Sequence, residues 1–296
     1  MTQITEVTRR DFLKGTAGLL TAVGLGAAYS TNVQAEAGAR VVVIRHEKVL
    51  GAEDRIDGSI LGAMLDEAVQ TLLKEKEPRL AWQKLVGKND VVGIKTNAWR
   101  YMPTPEPLEQ VLNKRVLDLG VLEKNISIDD RGVISNPVFQ NATALINVRP
   151  LRTHYWAGIG SCLKNYIMFV PKPSAYHGNA CSDLGQIWTQ PVVKGKTRLN
   201  ILSALTPQFY GRGPNSFDRR YLWPYKGLIV GTDPVAVSAV GAELLRLKRI
   251  AFFGEDRELD VQPIHIAAAD KKYGLGVSDL NRIEIIKLGW KDQILL

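Results

Sequence analysis

The side chains best suited to chemistry crowd into one stretch, Asn147 to Asn165. It holds two arginines (Arg149, Arg152), an imidazole (His154), a thiol (Cys162) and an amine (Lys164), with Gly158 and Gly160 between them. Arginine grips carboxylates and phosphates through charge-assisted hydrogen bonds, so Arg149 and Arg152 read as a clamp for an anion. An ordinary imidazole titrates near neutral pH, which makes His154 a natural proton carrier. Lys164 reads as a nucleophile, an imine-forming amine or a plain cation, according to its burial. These groups suit proton-transfer chemistry of an isomerase or lyase type on a small anionic molecule better than hydrolysis, since no nucleophile–base pair is evident. The competing reading is a non-catalytic protein that binds a small molecule or a metal, or that helps assemble a redox system with a partner protein.

Two further positions follow strand-like runs, where ligands sit in open α/β sheets. Lys95 ends one such run and is a candidate anion contact; Asp130, within Asp129-Asp130-Arg131, ends another and is a candidate ligand contact. His154, His177, Cys162 and Cys181 supply nitrogen and sulfur donors of the kind a borderline metal takes. Cys162 and Cys181 would alternatively bond to each other after export. They are the only two cysteines, and no Cys-x-x-Cys occurs, so this chain alone cannot hold an iron–sulfur cluster through four cysteines. A P-loop, a nucleophile elbow, a dinucleotide-binding glycine fingerprint and a His-Glu-x-x-His metal motif are all missing from the sequence.

The elements that must position these residues alternate in type. Arg40–Ile44, Asp90–Ile94, Asn125–Asp129 and Ala144–Val148 are strand-like. Between them Ile60–Leu73 and Pro105–Leu119 carry apolar residues at helical spacing. This rhythm predicts an α/β fold with a largely parallel sheet, flanking helices and Rossmann-like lobes. In the second half Arg198–Ala204, Leu228–Val230 and Ile283–Leu288 read as strands. Pro234–Leu247 reads as a helix capped by Asp233, and Pro263–Lys272 as another. Thr206–Tyr225 reads as a long loop rich in Pro, Gly, Arg and aromatic residues.

The amino terminus carries Thr8-Arg9-Arg10-Asp11-Phe12-Leu13-Lys14, a mildly apolar run and small residues around Ala35 and Ala37. This order of features reads as a twin-arginine signal over residues 1–37, cleaved after Ala35 or Ala37, with an α/β domain over 38–296. It implies recognition by the twin-arginine translocase and a periplasmic location, or a membrane-anchored one if the signal is retained. Cleaved after Ala35, the signal takes +1 of the formal charge of +8 and leaves +7 on the exported part; cleaved after Ala37, it takes Glu36 as well and leaves +8. Outside the cytoplasm that charge argues against nucleic acid and for an anionic small molecule, an acidic partner protein or a lipid surface, with plain solubility as the alternative.

The segment 147–165, with Val92–Asn97 and Gly231–Val237, resembles the "domain of unknown function 362" family from about Asp90 to Trp290. A more distant likeness joins His154–Lys164 to the His-aromatic-aromatic-Ala-Gly-x(5)-Lys segment of lactate racemase and its relatives. That likeness implies a catalytic acid/base at His154 and a lysine at 164 tethering a nickel-pincer nucleotide. It also implies that Asn97-Ala98-Trp99-Arg100 stands where the racemases have an Asp-x-x-Arg element, making Asn97 and Arg100 ligand contacts. The chain departs from the pattern: no histidine lies between His46 and His154, and His177 stands at a different spacing from the racemases' metal-binding histidine. A shared fold and site position follow more safely from the likeness than racemase activity does.

Overall fold

The structure, a computed structural model, describes residues 38–213 and 217–296. The export signal expected over 1–37 lies outside the described residues. Eight strands form one mixed, mostly parallel sheet: β1 (Ala39–Arg45), β2 (Val92–Lys95), β3 (Ile126–Asp129), β4 (Ala144–His154), β5 (Gly158–Gly160), β6 (Thr197–Gln208), β7 (Gly227–Gly231) and β8 (Ile283–Gly289). Their order is β3-β2-β4-β6-β7-β1-β8, with β5 paired to the end of β4. β2 runs parallel to β3 and β4, β4 to β6, and β1 to β8; β7 opposes both of its neighbours. The expected α/β class with flanking helices is what the chain forms.

Alternation along the strands builds the two cores. Val42, Ile44, Ile94, Ile146, Ile201 and Val230 face one layer, which holds α1 (Gly58–Leu73) and α2 (Glu106–Asp118). Helix α1 starts where the Asp57 carboxylate accepts from the amides of Ser59 and Ile60, and it buries Leu61, Leu65, Ala68 and Leu72. Val41, Val43, Leu145, Leu151, Leu202 and Ile229 face the other layer. There lie α3 (Pro234–Phe253), α4 (Ile264–Lys271) and a run of short helical turns between Cys162 and Trp188. Asp233 caps α3 as expected: its Oδ1 accepts from the amides of Val235 and Ala236 at 2.8 and 2.9 Å.

Two elements run past their expected ends. The strand expected over Ala144–Val148 continues to His154, through Pro150. A proline lacks the amide that a central strand needs, but β2 pairs with β4 only as far as Asn147 and β5 begins at Arg152. Pro150 thus falls where one flank of β4 is bare, and the strand tolerates it. Likewise β6 reaches Gln208, which bridges to Leu222, so part of the expected loop 206–225 is ordered strand.

Candidate functional site

From Asn147 onward, polar residues replace apolar ones on the face of β4 that carries Leu145. Asn147 and Arg149 point to the same side as Leu145 and Leu151, and Lys95 on β2 points there too. Above them lies a cleft of about 290 Å³ lined by Asn97, Asp130, Arg149, Arg152, His154, Lys164 and His177, together with Trp99, Trp156 and Asn165. Imidazole 154 and amine 164 therefore open into a common space beside two guanidinium groups.

A network of buried polar side chains underlies it. The ammonium of Lys95 is bonded to the Asp130 carboxylate and donates to the Thr96 carbonyl at 2.8 Å. Burial pulls Lys95 down to about 8, against the opposing pull of Asp130. Burial would raise the Asp130 carboxyl, but Lys95, the Ala98 amide and Arg149 together hold it below the usual carboxylate value. A chain of amides lies alongside. Asn165 Nδ2 donates to Asn147 Oδ1 at 2.8 Å, Asn147 Nδ2 to Asn200 Oδ1 at 3.0 Å, and Asn200 Nδ2 to the Thr232 carbonyl at 3.1 Å. Asn147 also donates to the Cys162 carbonyl at 3.0 Å. These bonds fasten the short helix Cys162–Asn165 to the sheet and so fix where Lys164 emerges.

The hairpin from β4 to β5 turns at Gly158, whose φ of +71° leaves no room for a side chain against the Val261 carbonyl. At Gly160 a Cβ would come within 2.8 Å of Arg149 Nη2. The glycine is therefore what lets the guanidinium lie flat across the hairpin. Arg149 donates to the Ser161 carbonyl at 3.3 Å, and Arg152 to the Thr153 carbonyl at 3.5 Å, while stacking 4.3 Å over the Trp99 ring. The Nε atoms of both arginines, and Asn97 Oδ1, are buried without a protein hydrogen-bond partner. Burial lowers Arg149 to about 10 and Arg152 well below the usual guanidinium value.

The Trp156 amide donates to His154 Nδ1 at 3.2 Å. That bond needs a bare Nδ1, so the neutral ring carries its proton on Nε2. Burial first, then Lys164, Arg152, Arg149 and His177, hold His154 far below the ordinary imidazole value. These surroundings favour the neutral ring over the imidazolium, so His154 differs here from the ordinary imidazole expected from its residue type. Lys164 is 3 % exposed and is lowered to about 8 by burial, with Arg149 and Arg152 adding to the effect and Cys181 opposing it. Its Nζ donates to Cys181 Sγ at 3.7 Å. Asn179, Ala180 and Cys181 are consecutive left-handed residues, and this strained turn, costing roughly 1–2 kcal/mol per residue, sets the thiol against the amine.

Some nominated residues lie elsewhere or act otherwise. Arg100 is exposed, stacks 4.7 Å from the Tyr101 ring and lines a different cleft. Lys95 faces Asp130 rather than the open space. Cys162 lies wholly buried beneath the site, and both cysteines are free thiols, so the disulfide alternative is not what the chain adopts. His177 stacks on Trp156 at 3.8 Å between ring centres, and burial followed by Lys164 lowers it to about 4. Among the described residues no three His, Cys, Asp or Glu side chains converge as a metal-ligand set, so His177, Cys181 and Cys162 do not form one. The sequence reading passed over Trp99, whose ring supports Arg152, and the amides Asn147, Asn165 and Asn200. Their neighbours on the sheet are separated in sequence by 18 to 53 positions, and no local pattern joins them.

Residues 123–243 match the model of a family described as Domain of unknown function (DUF362). The matched stretch contains Asp130, Arg149, Arg152, His154, Lys164 and His177, but not Lys95 or Asn97. No curated protein matches the chain. No solved structure matches it either.

Proposed function

We propose that the protein binds a small organic anion in this cleft and transfers protons at it, as an isomerase- or lyase-type enzyme. The carrying observation is the imbalance of buried charge: Arg149, Arg152 and Lys164 converge on a space whose one lining carboxylate, Asp130, is already committed to Lys95. Each buried donor without a partner costs about 1–3 kcal/mol, and a bound carboxylate or phosphate would relieve Arg149 Nε and Arg152 Nε together. In this reading the arginines hold the anion, His154 offers Nε2–H to a ligand oxygen, and Lys164 is the reactive amine. A neutral imidazole is the better donor here, because an imidazolium would add a further buried positive charge. The cleft is at the small end of ligand pockets, which favours one compact molecule.

The likeness of His154–Lys164 to the lactate racemase segment supports a small carboxylate as ligand. The side chains here do not fit that family's lysine-tethered nickel nucleotide. The cleft is compact, Cys181 is engaged with Lys164, and His177 is stacked on Trp156. The twin-arginine segment at Arg9-Arg10 supports a periplasmic site of action, with the translocase as the partner of export.

The test is solvent-deuterium incorporation, followed by nuclear magnetic resonance, into a panel of small carboxylates incubated with the protein. Exchange at a carbon-bound hydrogen that is lost in Arg152→Gln supports the reading. Binding of a panel member with no exchange in any of them contradicts catalysis and supports the exported binding or accessory protein instead.

A further inference from the structure

Two buried lysines stand on the same side of the sheet, and their surroundings differ in one respect. Lys95 meets a carboxylate. Lys164 meets a thiol, Cys181 Sγ at 3.7 Å, and takes part in no salt bridge among the described residues. The charged and titratable groups facing it are Arg149, Arg152, Cys181, His154, His177 and His265. The arginines are cations, as is Arg131 on the wall of the same cleft, and the cleft's carboxylate, Asp130, is already bonded to Lys95. Such surroundings favour the uncharged amine, which has a free electron pair. Lys164 also lines open space, on a helix fastened to the sheet by Asn147 and Asn165, so the amine is aimed, and its lowered value of about 8 leaves a larger uncharged fraction near neutral pH than a free lysine has.

We propose that Lys164 forms an imine with the ketone carbon of a small 2-oxo acid whose carboxylate is held by Arg149 and Arg152. This rests on the anion-binding reading above and specifies its substrate class. The Lys164 Nζ electron pair bonds to the ketone carbon as the carbon–oxygen π pair moves onto oxygen. A proton passes from nitrogen to that oxygen, giving a carbinolamine. Loss of the oxygen with a further nitrogen-bound proton expels one water and leaves a carbon–nitrogen double bond. No oxidant or reductant is consumed. His154 Nε2–H, the neutral donor in the same cleft, serves the developing oxygen charge. Protonated, the imine draws electrons from the neighbouring carbon, which is how proton transfer at that carbon becomes feasible.

Borohydride trapping decides the matter. The full chain is incubated with pyruvate or 2-oxoglutarate, reduced with sodium borohydride and mapped by peptide mass spectrometry. Propionate, which has the carboxylate but no ketone, is titrated in parallel by calorimetry. Near-complete labelling at Lys164, suppressed by excess propionate and at least about tenfold weaker in Arg152→Gln, is the expected result. Lys164→Arg keeps the cation, should still bind propionate, and should take no label. Propionate protection in the wild-type chain gives the same answer should that variant fail to fold. Propionate binding with no label at Lys164 overturns the imine and leaves the anion site standing. Absence of carboxylate binding overturns both, and labelling spread evenly over surface lysines overturns the imine.

Discussion

Lys164 Nζ lies 3.7 Å from Cys181 Sγ, inside a cleft that it shares with Arg149 and Arg152. A buried ammonium so placed costs stability. Its value of about 8 in the folded chain lies below the roughly 10.4 of a free lysine, so the unfolded chain holds the proton more tightly. Below pH 8 both states are protonated and the folded state carries the full penalty. Between about 8 and 10.4 the penalty is relieved, and stability rises with pH. Lys164→Met should therefore stabilise the protein at pH 7, by up to about 3 kcal/mol, with the gain shrinking above pH 8. Urea unfolding at a series of pH values measures this. A variant less stable than the wild type at pH 7 contradicts it.

The Lys95–Asp130 pair behaves in the opposite way. Asp130 is held below its ordinary value in the folded chain, so its contribution is complete above about pH 3.9 and is lost as pH falls through the folded value. Asp130→Asn should cost about 3–5 kcal/mol at neutral pH, because it leaves the Lys95 ammonium buried without its partner. The variant should also lose part of the steep acid limb of the wild-type profile. Unfolding midpoints between pH 3 and 7 check both effects.

His154 should not titrate in the accessible range. Its ring-carbon proton resonance should stay at the neutral position from pH 5 to 8, since burial and the surrounding cations hold it low. A bound anion offsets Arg149 and Arg152, so saturation with one should raise the His154 midpoint. An imidazole that titrates near 6.5 without any anion would contradict the depression attributed to burial and the surrounding cations.

What the sequence made legible was local. The spacing of Leu61, Leu65, Ala68 and Leu72 marked α1, and Asp233 before Pro234 marked the start of α3. The cluster from Arg149 to Lys164 could be read because one hairpin carries it, with Gly158 at the turn. Other features were not legible, because they are set by contacts between distant strands. The strand expected over Ala144–Val148 runs on through Pro150, and only the bare flank of β4 shows why it can. Lys95 offered no sign that Asp130, 35 positions away, would take its charge. Arg100 stands three residues after Asn97, yet the chain turns between them, and the two side chains line different clefts. The electrostatic character of His154 is likewise a property of its neighbours, which residue type alone does not convey.

Export is tested in cells. Replacing Arg9 and Arg10 together by lysine should abolish periplasmic accumulation, with precursor remaining in the cytoplasm. Amino-terminal sequencing of the exported protein should begin at Glu36 or Gly38. Unchanged fractionation of the double variant contradicts the twin-arginine route.

The account depends most on the guanidinium groups of Arg149 and Arg152 serving a small carboxylate. Calorimetric titration of wild type, Arg149→Gln and Arg152→Gln with pyruvate, propionate and inorganic phosphate addresses that directly. The account predicts saturable binding of at least one of these to the wild type, weakened at least about tenfold in each variant, with the variants still folded by circular dichroism. No binding by the wild type, or equal affinity in all three proteins, would contradict it.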